Sequence, residues 1–143
     1  MVRLLRLVLA ALGVSAILIA ASILLLGAEA TGGMAEGAFS AMTGLGGHVR
    51  EPWPPTIDSE LRFYAALWGA YGIVLVWISS SLERRLELVP WLAAVFFVGG
   101  LGRALSLAFI GPPHPFFMFL MAIELGLPPL ILVLWLAARR SAR

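Results

Sequence analysis

Two ionisable residues lie inside otherwise apolar runs, and their types and spacing could support chemistry. Arg103 lies within the run 89–110, and Glu124 lies within the run 116–138. A charged side chain at the centre of a bilayer costs about 2.5–3.5 kcal/mol on insertion scales, so such residues are usually paired or functional. Both runs are long enough to span a membrane, which makes this pair the first candidate for a functional site.

The two runs flank a Gly- and Pro-rich break at 111–115, which predicts an antiparallel hairpin. Arg103 and Glu124 lie at similar distances from this break, and at about 1.5 Å per residue their depths differ by a few ångströms. A guanidinium could therefore meet a carboxylate, although depth alone does not determine how each helix is rotated. Pro128 lacks an N–H and leaves the carbonyl of Glu124 free, so we expect a kink that faces protein or water.

Three roles are open for the pair. It could simply determine which helices pack together, it could bind a ligand or a lipid headgroup, or it could carry protons or ions. A proton path usually needs several titratable groups in series, and the sequence places one acid within the membrane. Other polar and aromatic residues would extend the site toward the outer surface as a polar funnel. The candidate ligand-binding residues are Arg103, Glu124, Arg62, Ser106, His114 and Tyr64.

Composition defines the class of protein. The chain has 143 residues, of which 61% are hydrophobic and 13% are charged; soluble domains are about 45–50% apolar. We therefore expect a single membrane domain covering 1–143. The absence of Cys excludes disulfides and thiolate metal sites. All ten basic residues are Arg, and they do not cluster on one polar face, so nucleic acid is not an expected partner.

The apolar runs predict an all-α bundle of four transmembrane helices at about 5–27, 61–81, 89–110 and 116–138, with an outer loop at 28–60. The first run could instead be a signal peptide, because 28–30 (AEA) has the form of a cleavage site. That run exceeds the roughly 7–15 residues typical of the apolar core of a signal peptide, so we favour a retained helix. Within the outer loop, Met34, Ala38, Met42 and Leu45 share one helical face, which indicates a short interfacial helix.

The arginines predict the orientation. Seven of them lie in the N-terminus, the 82–88 turn and the C-terminus, whereas the 28–60 loop has one Arg and five acids. Because cytoplasmic segments carry the excess of Arg, both termini should be cytoplasmic. The seven residues are Arg3, Arg6, Arg84, Arg85, Arg139, Arg140 and Arg143.

Four segments resemble a family of small bacterial membrane proteins that is classified as a domain of unknown function. They are 60–67 (ELRFYAAL), 99–106 (GGLGRALS), 112–115 (PPHP), and Glu124-Leu125 ahead of Pro128-Pro129. The pattern G-G-x-x-R-x-x-S is the most specific element. The resemblance covers most of the chain and implies four spans and a membrane location. It implies no activity.

We therefore expect a multi-pass protein of the bacterial inner membrane that binds a lipid or small amphiphile in an outward-opening pocket. Its partners would be membrane lipids, and it could form homo-oligomers or act as an accessory subunit of a larger membrane complex. The alternative is a small membrane enzyme acting on a lipid or sterol-like substrate, with Glu124 as acid or base. Standard catalytic motifs are absent, and no cofactor is expected. His48 and His114 lack a spacing that requires a metal or haem.

Overall fold

The computed structural model describes residues 1–46 and 54–141, and throughout these ranges the chain is helical with no strand. His48 and Arg143 lie outside the described residues. The helices are α1 (Val2–Leu26), α2 (Ala28–Thr43), α3 (Pro55–Ser80), α4 (Leu82–Arg85), a 3₁₀ turn (Leu86–Leu88), α5 (Val89–Phe109) and α6 (Pro115–Ser141).

Four helical segments are long and apolar enough to cross a membrane, as the sequence predicts. They cover Val2–Leu26, Pro55–Ser80, Leu82–Phe109 and Pro115–Arg140. The second span begins six residues earlier than the predicted start at 61, because Pro55 provides its first turn. Proline suits that position, since its fixed φ is helical and its missing N–H would have no partner there.

The predicted interfacial segment is a 16-residue helix, α2, that starts directly after α1. Gly27 joins the two helices with φ +92°, a conformation that side chains with a Cβ rarely adopt. Met34, Ala38 and Met42 lie on one exposed face of α2, and Leu45, predicted on the same face, lies beyond its end; the opposite face packs on the bundle. On that opposite face, Phe39 contacts the start of α6. The helix therefore extends from the end of α1 to the start of α6.

The four spans form two antiparallel pairs. α1 packs along α3, α5 packs along α6, and contacts between α1 and α6 join the pairs. Glycines permit the closest approach in the first pair: a Cβ at Gly13 would lie 2.7 Å from the Gly72 carbonyl oxygen, and the reverse distance is also 2.7 Å. Backbones this close are typical of helix packing in lipid, where small residues replace the hydrophobic effect as the organising feature.

The two ends of the bundle differ in chemistry. The terminal end comprises the start of α1, the 82–88 connection and the end of α6; the loop end comprises the α1–α2 junction, the start of α3 and the 110–114 connection. The terminal end is closed by apolar packing, and the indole Nε1 of Trp135 donates to the Leu86 carbonyl at 2.7 Å. The buried apolar cluster comprises Leu5, Leu9, Leu75, Ile78, Leu82, Leu86, Val89, Ala93, Ile131, Leu134 and Ala138.

Helix α6 continues through both of its internal prolines. Pro128 is buried and Pro129 is exposed, so the first proline faces protein as expected. Glu124 lies one turn earlier on the same buried side, with Ile131 one turn later. The buried face of α6 therefore carries apolar residues toward the terminal end and the Glu124 carboxylate toward the loop end.

Candidate functional site

Arg103 and Glu124 form a direct ion pair between α5 and α6. The Arg103 Nε donates to the Glu124 Oε2 at 2.7 Å. Glu124 is buried, with 8% of its surface exposed, whereas the Arg103 side chain retains 38% exposure. The two side chains lie at matching depths, as the sequence predicts. The helices are also rotated so that the two side chains face each other, which the sequence alone did not determine.

A glycine on α5 brings the two helices together at this level. A Cβ at Gly100 would lie 2.8 Å from the Leu125 Cδ2 and 3.0 Å from the Glu124 Cβ. A Cβ at Gly99 would have nothing within 4 Å, so this glycine faces away from α6. Beside Arg103, the Gly100 position is therefore closed by α6 and the Gly99 position is open.

A recess of about 100 Å³ lies beside the ion pair, between α5 and α6. Its polar lining is Arg103 and Ser106, and Phe117 and Met121 supply apolar lining from α6. Pro113 of the inter-helix connection also lines it, which places the recess toward the loop end. A drug-sized ligand needs about 300–1,000 Å³, so this volume suits one compact polar group.

The guanidinium of Arg103 has hydrogen-bonding capacity left over. An arginine has five N–H donors, and within the described ranges Arg103 uses only its Nε. The Phe117 ring lies 5.7 Å from the Arg103 Cζ, an additional cation–π contact. The Glu124 carbonyl freed by Pro128 is not an acceptor for Arg103, whose bond goes to the carboxylate. The terminal amino groups therefore remain available beside the recess.

Arg62, another predicted ligand residue, joins helices instead. Its Nε donates to the Asp58 Oδ2 at 2.7 Å, and its Nη1 donates to the Leu24 carbonyl at 2.6 Å near the end of α1. Asp58 lies in the first turn of α3, but its Oδ1 accepts from the Ala28 N–H at 3.2 Å and so caps α2. We call this Asp58–Arg62 arrangement the junction clamp, because it ties α3 to the bend at Gly27.

His114 and Tyr64 also lie outside the recess lining. The His114 Nδ1 accepts from the Phe116 N–H at 3.2 Å, which caps the start of α6. Its Nε2 lies 3.4 Å from the Ser40 Oγ on α2. Tyr64 is 58% exposed and contacts the Phe63 ring. The polar residues expected in one funnel are thus distributed over a recess, a clamp and a cap.

The structure adds participants that the sequence reasoning missed. The Asp58–Arg62 pair had a readable signal, since oppositely charged residues four apart on a helix meet. Phe117 and Met121 had none, because apolar residues in a spanning helix do not indicate which face lines a cavity. No group of three His, Asp or Glu residues within 1–46 and 54–141 could hold a metal ion.

A comparison with protein families matched the family described as "Domain of unknown function (DUF4345)", over residues 4–135. No curated protein and no solved structure matched. The family match covers nearly all of the described helices, including the ion pair and the junction clamp. The chain belongs to the DUF4345 family, a domain of unknown function.

Proposed function

We propose that this membrane protein is a non-enzymatic binder of an amphiphile, and that Arg103 holds the ligand's headgroup. The headgroup would be an oxyanion: a phosphate, sulfonate or carboxylate. The ligand's apolar tail would lie along the exposed apolar surface of α5 and α6. The source could be a membrane lipid or a smaller amphiphile, because both present the same headgroup chemistry.

The observation that carries this proposal is the unused donor capacity of Arg103. Arg103 lies six residues before the end of α5 at Phe109, which is about 9 Å along the helix. At that depth lipid tails offer no acceptor, and an unsatisfied polar group in hydrocarbon costs several kcal/mol. An oxyanion can accept two parallel N–H bonds from one guanidinium, which is the strongest geometry available to it.

The dimensions of the recess support a headgroup rather than a whole ligand. A volume of about 100 Å³ accommodates a compact polar group and no more. Ser106 adds a hydroxyl that can donate to an oxygen atom. Met118 and Met121 are adaptable apolar side chains at the same opening, suited to the first part of a tail.

Native mass spectrometry after extraction in mild detergent tests the proposal. We expect the wild type to retain an amphiphile that Arg103→Leu lacks. Arg62→Leu is the matched control, because it removes an arginine from the same end of the bundle without altering the recess lining. A wild type that carries no amphiphile, or equal retention by all three proteins, would overturn the proposal. A bound polypeptide in place of an amphiphile would favour an accessory subunit.

We further propose that the terminal end faces the cytoplasm of a bacterial inner membrane. Six described arginines lie there, and Asp58, Glu29 and Glu36 lie toward the loop end. The chain has no cysteine, so single cysteines report position cleanly. In intact cells a membrane-impermeant maleimide should label Met42→Cys and leave Glu87→Cys unlabelled. The reverse pattern would invert the proposed orientation.

A further inference from the structure

The ion pair is electrically neutral before any ligand arrives, and that determines what an anionic headgroup must do. Arg103 supplies one positive charge and Glu124 one negative charge, 2.7 Å apart. An oxyanion bound to Arg103 would leave a net negative charge beside the buried Glu124 carboxylate. Arginine cannot supply further charge, but a carboxylate can be neutralised by a proton.

Among the described residues, those on the helices that contact α6 offer no other compensating charge near Glu124. The contacting helix α5 carries Arg103 alone among ionisable residues, and α1 carries none between Leu7 and Leu26. On α3, the Tyr71 hydroxyl is engaged with the Leu92 carbonyl.

Other ionisable groups lie toward the two ends of α6. At its start, α2 packs against it and carries Glu29 and Glu36, and His114 caps its first turn. At its far end are Arg139 and Arg140. Charge compensation near the recess therefore falls to Glu124 itself.

We infer that binding of an oxyanion headgroup at Arg103 is coupled to uptake of one proton from water by Glu124. The headgroup replaces the carboxylate as the main acceptor of the guanidinium, and the protonated Glu124 becomes a neutral neighbour. The charge of the site is then the same before and after binding. This inference rests on the proposed function and adds its regulation: the ligand binds more tightly as the pH falls.

A non-titrating probe isolates the effect. A fluorinated long-chain alkanesulfonate keeps its charge from pH 5.5 to 8.5, so any pH dependence belongs to the protein. Its binding to protein in phosphatidylcholine nanodiscs can be followed by fluorine NMR. By linkage, uptake of one proton strengthens binding as much as tenfold for each unit fall in pH. Glu124→Gln imitates the protonated acid, and should bind tightly with no slope.

Each outcome decides between the two proposals. Binding without a slope in the wild type overturns the proton coupling and leaves the headgroup site standing. No binding beyond that of Arg103→Leu, at any pH, overturns both. A slope that persists in Glu124→Gln also overturns the assignment, because that variant keeps His114 and every other titratable group.

A second measurement needs no variant. Titrating the sulfonate into weakly buffered wild-type protein should consume one proton for each ligand bound, read with a pH indicator at a pH within the sloped range. Zero protons per ligand would contradict the coupling even if Glu124→Gln failed to fold.

Discussion

Two arginines at the same end of the bundle each donate a hydrogen bond to a carboxylate, but they differ in what their remaining N–H groups contact. Arg62 and Arg103 each donate from Nε to a carboxylate at 2.7 Å. Arg62 also donates from Nη1 to the Leu24 carbonyl, so its fork joins α3 to α1, and Asp58 extends the contact to α2 through the Ala28 N–H. Arg103 has no second partner among the described residues. Arg62 therefore ties helices together, whereas the terminal amino groups of Arg103 remain available to bind a ligand.

The two helix pairs that carry these arginines differ in how closely their helices pack. The α1–α3 pair meets through Gly13 and Gly72, whose backbones are in contact. The α5–α6 pair approaches closely at Gly100, but toward the loop end it is separated by the long side chains of Arg103 and Phe117. Small residues allow dry, close packing, whereas long polar side chains keep space between helices. A recess therefore lies beside the charged pair.

The largest expected effect comes from separating the close pair. Gly72→Leu places a side chain where the Gly13 carbonyl oxygen would be 2.7 Å from its Cβ, and a backbone cannot give way cheaply. We expect a loss of at least about 3 kcal/mol of stability, the upper range for overpacking. Gly126→Leu is the control, because nothing lies within 4 Å of its Cβ position. Thermal unfolding in detergent, followed by circular dichroism, would show the difference; equal midpoints would refute the close-packing account.

Removing one member of the ion pair should have the next largest effect, and it should be asymmetric. Glu124→Leu leaves a guanidinium that cannot lose its charge, while Arg103→Leu leaves a carboxyl that can take a proton. We expect a loss of about 1.5–3 kcal/mol from Glu124→Leu, because Arg103 is partly exposed, and a smaller loss from Arg103→Leu. The double variant should regain part of the difference. Equal losses in the two single variants would show that charge is not the cause.

Much of this comparison could be predicted from the sequence, and particular residues show why the remainder could not. Hydropathy identified the four spans because about 20 apolar residues are needed to cross a bilayer. Depth matching brought Arg103 and Glu124 to one level because both are counted from the same turn. The recess depends on the rotation of α5 about its axis, which places Gly100 rather than Gly99 against α6. That rotation results from packing, and no local pattern in one sequence encodes it.

The junction clamp shows a second reason. Asp58 has the expected position for an N-cap of its own helix, but α3 already begins at Pro55. Its carboxylate therefore caps a different helix at Ala28, thirty residues away in sequence. Such a contact depends on how α2 folds back from Gly27. Local helix signals in the sequence therefore identify a capping side chain but not the helix that it caps.

Breaking the clamp should have an intermediate effect and leave the recess intact. Arg62→Leu removes a charged donor from the Asp58 carboxylate and from the Leu24 carbonyl, and the loss of stability should be smaller than in the two cases above because this pair is partly exposed. Hydrogen exchange should quicken at the first turn of α2, where Ala28 donates to Asp58. Glu60→Gln is a nearby control at an exposed position. Unchanged exchange at α2 in Arg62→Leu would mean that the clamp does not hold the junction.

The smallest and sharpest test compares two adjacent glycines of α5. Replacing an interior helical glycine with alanine normally gains about 0.5–1 kcal/mol, because the unfolded chain loses freedom. Gly99→Ala should show that gain, since its Cβ would meet open space. At Gly100 the new methyl would lie 3.0 Å from the Glu124 Cβ and 2.8 Å from the Leu125 Cδ2. The leucine methyl can move aside, but the Cβ of Glu124 is fixed to the backbone of α6.

We therefore expect Gly100→Ala to lose the gain and to push α6 away by a few tenths of an ångström. The ion pair would lengthen at its base and compete less with the headgroup for the guanidinium, so Gly100→Ala should strengthen headgroup binding at Arg103 while Gly99→Ala leaves it unchanged. The alkanesulfonate titration measures this directly, beside the unfolding midpoints. If both alanines behaved alike, the close approach at Gly100 would not be what positions Glu124, and the spacing of the α5–α6 pair would have to come from Arg103 and Phe117 alone.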